Sequence, residues 1–294
     1  MKQEIDFVKV NPTQNMTILV ISSHPMDESI PIASRLMSYD SVHAEQVGFI
    51  RKPSKQGADA KLHMAAGEFC GNACMAASTY LAIEKGVQPD TKLDILLESS
   101  GSDHLIACQV SKVNDQYACQ VTMPLPNQIV QRSIQYEGED LSIAIVKYDN
   151  FFHIVIEVEL FSPACRKRAE GLARLLGITL GSNLIGVMLF EPKSNMMAPL
   201  IYLPDLDSMV WEKGCGSGTA SVGAYLSWKK KSAVTVRIAQ PGGTILVNAE
   251  YSQHKVTNLI VEGMVGIVAK GKAYIEMGGC EGSANSYPAS ATLV

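Results

Sequence analysis

The sequence predicts an α+β protein of two pseudo-symmetric domains, each a curled mixed sheet around a buried central helix. Three observations carry that prediction. Short β-branched runs supply most of the chain, two helical stretches are apolar or small nearly all the way round, and a Cys-Gly motif at residue 70 recurs at residue 215, about half the chain further on. A helix without a polar face has to be buried, and strands are the material available to enclose it.

The elements follow in chain order. "MTILVIS" (16–22) has the length and β-branched content of a strand. Residues 27–38 read as an amphipathic helix with charges on one side and an apolar stripe on the other. Residues 73–83 form the first all-apolar helix, followed by strands at "KLDILLES" (92–99) and "LIACQVS" (105–111). The two prolines of "TMPLPNQ" (122–128) mark a junction, so a first domain covers residues 1–128 and a second 129–263. The second half opens with strands at "SIAIVKY" (142–148) and "FHIVIEV" (152–158), then an amphipathic helix over 163–177. The second apolar helix covers 217–228, and strands at "TILVNAEY" (244–251) and "KAYIE" (272–276) close the chain's ordered part. Residues 277–294 are small and polar and read as a disordered tail.

The two halves are in register. Cys70 and Cys215 are each followed by Gly and then by Asn or Ser, and each has a Tyr-Leu pair ten residues on, Tyr80-Leu81 and Tyr225-Leu226. Each also has an amphipathic helix upstream. That is an internal repeat.

Composition excludes several classes. At 294 residues and 47% apolar content the chain can bury large cores. A net charge of -4 and a pI near 5.9 give no reason to expect a nucleic-acid partner. The Lys-Lys-Lys run at 229–231 sits where a helix should end, and there cations suit the dipole. No apolar run reaches the roughly 20 residues that cross a bilayer, so no membrane partner is expected. "MKQEIDFVKV" lacks the apolar core of a signal peptide. Seven cysteines, an odd number, form no disulfide framework. The expectation is a cytoplasmic protein with reduced thiols. Cys70 and Cys74 would share a helix face, but without a CxxC pair or a histidine cluster no metal site is expected. Cys74 reads as a small buried residue, and Cys108, Cys119, Cys165 and Cys280 have no chemical partner in sequence.

Chemistry concentrates at the mouths of the two apolar helices. The first N–H groups of a helix lack internal partners and, with the dipole, receive an anion such as a carboxylate. A cysteine there has its thiolate stabilised. Gly71 and Gly216 let a ligand approach the backbone, and Asn72 and Ser217 can cap the helices through a side-chain oxygen. Were the mouths to face each other, two sets of donors would grip one carboxylate with a thiol on either side of the adjacent carbon. One thiol in each protonation state then makes a two-base racemase or epimerase, with the N–H donors steadying the enediolate-like charge. No cofactor is expected: Gly214-Cys215-Gly216-Ser217-Gly218-Thr219 fails G-x-G-x-x-G, no P-loop is present, and nothing signals pyridoxal phosphate.

"FVKVNPTQN" (7–15), "CGNA" (70–73), "CGSGTA" (215–220) and "QPGG" (240–243) resemble the diaminopimelate epimerase superfamily of cofactor-independent racemases, in order over residues 5–276. The resemblance implies two domains of that fold with an active site between them and a last strand, about 264–276, returning to the first domain. The departures matter. Counting back from Cys215, the family's Glu-Arg pair for the distal end of diaminopimelate falls on Leu206 and Asp207, and its asparagines fall on Met64, Phe151 and Leu184. A distal carboxylate would then lose a charge-assisted contact.

A closer resemblance runs through "NMTILV" (15–20), "EQVGFI" (45–50), "EFCGNA" (68–73), "PLIYLP" (199–204), "CGSGTAS" (215–221) and "KAYIE" (272–276) to the histidine racemases of staphylopine-type metallophore synthesis. It implies L-histidine as the small amino-acid substrate, Cys70 and Cys215 as the two bases, Asn15 as a substrate contact, and Gly71, Asn72, Gly216 and Ser217 as the carboxylate cradle. Glu45 and Asp207 are the candidates for holding an imidazole. Glu68 could meet the amino group or favour the helix start. His153 matches a family histidine and reads as structural. Diaminopimelate epimerase, proline or hydroxyproline racemase, and a thiol-based metal or redox protein remain alternatives. A homodimer is one permitted assembly, and the sequence does not fix the number of chains.

Overall fold

The computed structural model describes residues 2–149, 151–180, 184–204 and 208–276. The chain divides into two compact units, one running to Met123 and resuming at Glu262, the other spanning Pro124–Val261. Leu206, Asp207 and the tail at 277–294, with Cys280, lie outside the described residues.

The first unit contains β1 (Lys2–Pro12), β2 (Thr17–Val20), α1 (Ser29–Met37), β3 (Gln46–Arg51), β4 (Ala60–Met64), α2 (Gly71–Glu84), β5 (Lys92–Ser99), β6 (Leu105–Val113) and β7 (Gln116–Thr122). The second contains β8 (Gln128–Tyr136), β9 (Glu139–Lys147), β10 (Phe152–Glu157), α3 (Pro163–Leu180), β11 (Ile185–Glu191), β12 (Met196–Leu203), β13 (Ser208–Trp211), α4 (Gly216–Lys230), β14 (Val234–Gln240) and β15 (Gly243–Ser252). The long strand β16 (Lys255–Glu276) starts in the second unit and belongs to the first from Glu262 onward.

In the first unit the strands bond in sequence from β1 to β7, β16 lies beside β7, and β16 pairs antiparallel with β1 from Lys2↔Glu276 to Pro12↔Val265. The strands therefore close on themselves. Inside runs α2, which packs against each of β1 to β7. Its residues from Gly71 to Thr79 are all buried, which is why, Asn72 apart, they are Ala, Gly, Cys, Met and small hydroxyls rather than a polar-faced sequence. α1 covers the other face: Ile32, Ala33 and Leu36 pack on Ile5, Phe7, Ile18, Val20, Val47 and Phe49. β2 is buried along its whole length because both of its faces are covered.

The second unit repeats the plan. Its strands run β16, β15, β14, β12, β11, β10, β9, β8, with β13 added to β12. α4 packs on β15, β14, β11, β10 and β9, while α3 packs on β11 and β12. The parallel steps correspond as well. α1 joins parallel β2 and β3, and α3 joins parallel β10 and β11. α2 lies between parallel β4 and β5, and α4 between parallel β12 and β14.

One buried acid ties down the approach to β4. Glu98 accepts from Lys61 Nζ at 2.8 Å, from the Ser54 and Lys55 N–H groups at 2.7 and 3.0 Å, and from Ser54 Oγ at 2.8 Å. The Lys61 contact first, then the backbone donors, lower its pKa from 4.5 to about 2. A depressed folded-state pKa contributes stability that is present above the unfolded value and lost as pH falls. Thermal melts should therefore show a stability loss between pH 4.5 and about 2 that Glu98→Gln removes. An unchanged acid profile in the variant would show that these bonds do not bear on stability.

Among the described residues no helix is long and apolar enough to cross a membrane.

Candidate active site

Cys70 is the extended residue that starts α2, with φ -132° and ψ 112°, and its sulfur accepts the Ala73 N–H at 3.3 Å. Cys215 starts α4 in nearly the same way, with φ -130° and ψ 106°, and its sulfur accepts the Gly218 N–H at 3.3 Å. The expectation that Asn72 and Ser217 cap these helices is thereby corrected. Both residues lie within the first turn, where the backbone is already helical, and the capping atom is the cysteine sulfur itself.

In the first unit the loop before Cys70 is fixed from the end of β5. Ser100 Oγ donates to the Glu68 carbonyl at 2.8 Å and accepts the Met64 N–H at 2.9 Å. Gly101 sits at φ +68°, where a Cβ would stand 2.3 Å from the Phe69 nitrogen, so only glycine permits this approach. On the other side, the N–H groups of Glu45 and Gln46 both donate to the Met16 carbonyl, at 2.9 and 3.2 Å. This sets residues 15–17 beside 45–46. Gln46 then reaches the catalytic candidate, for the Cys70 thiol donates to Gln46 Oε1 at 2.6 Å.

Asn15 is fully buried after a turn in which Thr13 and Gln14 both have positive φ. Asn15 N–H donates to the Pro12 carbonyl at 3.2 Å, and Gln14 N–H donates to Asn11 Oδ1 at 2.6 Å. Glu68 is held above the ordinary carboxylate range, chiefly by burial, and its Oε2 has no hydrogen-bond partner. In the first unit the segments 15–17 and 45–46 are thus tied together, and Gln46 connects them to Cys70 at the start of α2.

In the second unit a closed set of bonds orients Cys215. Its N–H donates to Gln240 Oε1 at 2.7 Å, Gln240 Nε2 donates to Thr219 Oγ1 at 2.8 Å, and Thr219 Oγ1 donates to the Cys215 carbonyl at 2.7 Å. Ser217 Oγ lies 3.5 Å from the sulfur. A Cβ at Gly218 would come within 2.5 Å of Met188 Sδ, so a larger residue there would have to displace the Met188 side chain. The sequence expectation of a lowered thiol pKa does not hold at Cys215. Burial raises it well above the usual thiol value, and the charge and hydrogen bond of Glu212 raise it further, outweighing the Ser217 and Gly218 contacts.

Glu212, like Gln46 and Gln240, is a residue beside a cysteine that sequence reasoning missed. It follows β13 and stands three positions before Cys215 in "WEKGC". Counting back at the family's spacing passed over it, whereas a carboxylate so close to a thiol was itself the signal. Asp207 lies outside the described residues.

The remaining candidates are structural. His153 is buried and kept neutral by burial, with its pKa lowered to about 3. Its Nδ1 is 2.7 Å from Ser221 Oγ, which also bonds the Tyr148 hydroxyl at 2.8 Å. Cys74 and Cys119 are buried thiols pushed well above the usual value, and burial raises Cys108 to about 12. Among the described residues no group of three or more His, Cys, Asp or Glu side chains is placed to hold a metal.

Residues 4–274 match the family described as the histidine racemase CntK N-terminal domain. The histidine racemase of Staphylococcus aureus is 34% identical over 277 residues, covering 94% of this chain and 99% of that protein. The histidine racemase of Fusobacterium nucleatum is 27% identical over 276 residues, covering 93% of this chain and 98% of its own. Among solved structures, a hydroxyproline epimerase from Agrobacterium vitis shares the fold, with a TM-score of 0.66 at 11% identity over 92% of this chain and 93% of that one. With its paired cysteine helix mouths inside a sequence that matches nearly throughout, the chain belongs to the histidine racemase family of isomerases.

Proposed function

We propose that this chain interconverts L- and D-histidine without a cofactor, using Cys70 and Cys215 as its two acid–base groups on opposite faces of Cα. The observation that carries the reading is the shared construction of the two helix starts, each with a cysteine sulfur 3.3 Å from the amide of the third helical residue. One thiolate takes the α-proton and forms S–H. The electron pair left on Cα delocalises into the carboxylate, and the opposite thiol returns a proton to the other face and becomes the thiolate. The helix-start N–H groups around Gly71, Asn72, Gly216 and Ser217 hold the carboxylate and steady its added charge. The raised pKa of Cys215 suits the thiol that donates first when the enzyme starts from its resting form.

In this reading Asn15 contacts the substrate backbone, and Glu68, a buried carboxyl with an oxygen lacking a partner, receives the α-ammonium. Glu45 and Asp207 are assigned to the imidazole nitrogens. The enzyme works in the cytoplasm, where its thiols stay reduced, and its product feeds opine-type metallophore synthesis, as the resemblance implies.

The test is α-proton exchange in D2O followed by NMR, with chelator and no added cofactor, on L-histidine and L,L-diaminopimelate in parallel. Deuterium should enter histidine alone while its optical rotation falls to zero. Exchange into diaminopimelate alone, or into neither, rejects the histidine assignment.

A further inference from the structure

Gln46 begins β3, and its position is fixed before its side chain is considered. Its N–H donates to the Met16 carbonyl, and it pairs in parallel register with Thr17. From that anchored backbone the amide reaches the Cys70 sulfur at 2.6 Å. The corresponding thiol of the second unit has a different kind of partner, the Glu212 carboxylate. An ionised carboxylate can only accept, so it favours the thiol. A side-chain amide carries an acceptor and two donors at one end, and half a turn about its last torsion exchanges them.

We propose that Gln46 is a positioning residue for Cys70, holding its sulfur in place and serving both of its protonation states. It accepts from the thiol through Oε1 and, with the amide turned, donates to the thiolate through Nε2. The inference rests on Cys70 being one of the two acid–base groups. A donor to an anion makes a stronger bond than one between neutral groups. Removing the amide therefore costs the thiolate more than the thiol.

The experiment is the pH dependence of iodoacetamide alkylation at Cys70, read on its own peptide by mass spectrometry in the full-length protein without substrate. Thiolate alone reacts, so the midpoint reports the sulfur directly, whichever amino acid the enzyme takes. Gln46→Met keeps the side chain's length and removes both donor and acceptor. Its midpoint should rise by about half to one pH unit, and that of Gln46→Glu, which replaces the donor with a negative charge, by about one to two. A Gln46→Met midpoint within about 0.2 units of the wild type overturns the proposal. Should that variant fail to fold by circular dichroism, the Gln46→Glu midpoint decides by the same criterion. Failure of the histidine assignment leaves this titration unaffected, so the two ideas fail separately.

Discussion

Cys70→Ser and Cys215→Ser should each lose racemisation by about 10³-fold or more, since in the proposed two-base scheme a hydroxyl then replaces the acid–base group on one face of Cα. They should not be equally inert toward hydrogen exchange. The surviving thiol can still remove the α-proton on its own side and return a solvent deuteron to the same side. Each variant is therefore expected to exchange one enantiomer slowly without inverting it, and the two variants should act on opposite enantiomers. NMR in D2O on separate L- and D-histidine samples resolves this directly. Exchange of both enantiomers by a single variant would mean that one sulfur serves both faces, and the two-base scheme would fall. The same experiment assigns each cysteine to its isomer.

Glu212→Gln comes second in expected size. At Cys215 the burial of the thiol raises its pKa first, and the carboxylate of Glu212 raises it further by charge and hydrogen bonding. Removing the charge relieves the thiolate of repulsion, so the pKa of Cys215 must fall. In the proposed two-base scheme the proton donor is then lost at lower pH. The alkaline limb of the kcat/KM profile should move down by about one unit or more, with turnover on the alkaline side reduced about 10- to 100-fold. Alkylation of Cys215, read on its peptide, should become detectable at lower pH in the variant. An alkaline limb that stays in place would show that Glu212 does not govern this sulfur.

Much of this was legible from composition and spacing, for identifiable reasons. The helices at 73–83 and 217–228 declared their burial by lacking a polar face, and the structure extends them to Gly71–Glu84 and Gly216–Lys230. Of the strands, only seven runs stood out by pattern, against sixteen strands among the described residues. β8, "QIVQRSIQY", is polar and largely exposed, so it shows little apolar alternation. β13 has only four residues, all half-buried, and is held by pairing to β12. Such strands are set by their neighbours rather than by their own residues. The site divides likewise. Cysteines at two repeated helix starts were visible, whereas Gln240 and Gln46 reach their cysteines across strands that only the fold brings near. Glu212 lay close in sequence and was lost to a count that allowed no gap.

β16 also has a consequence for how the chain comes to be folded. The first unit is closed by Glu262 onward, with Lys2 opposite Glu276. During synthesis, β1 to β7 leave the ribosome with an open edge at β1 and another at β7, and the strand that covers them arrives last. By then β8 to β15 have all emerged, so the second unit has its own strands in hand while the first is still waiting. Contacts this distant in sequence slow folding, and unpaired edges are where nascent chains associate wrongly. The half of the chain that is translated first is thus the half completed last, and its edges stay open while residues 124–261 are translated.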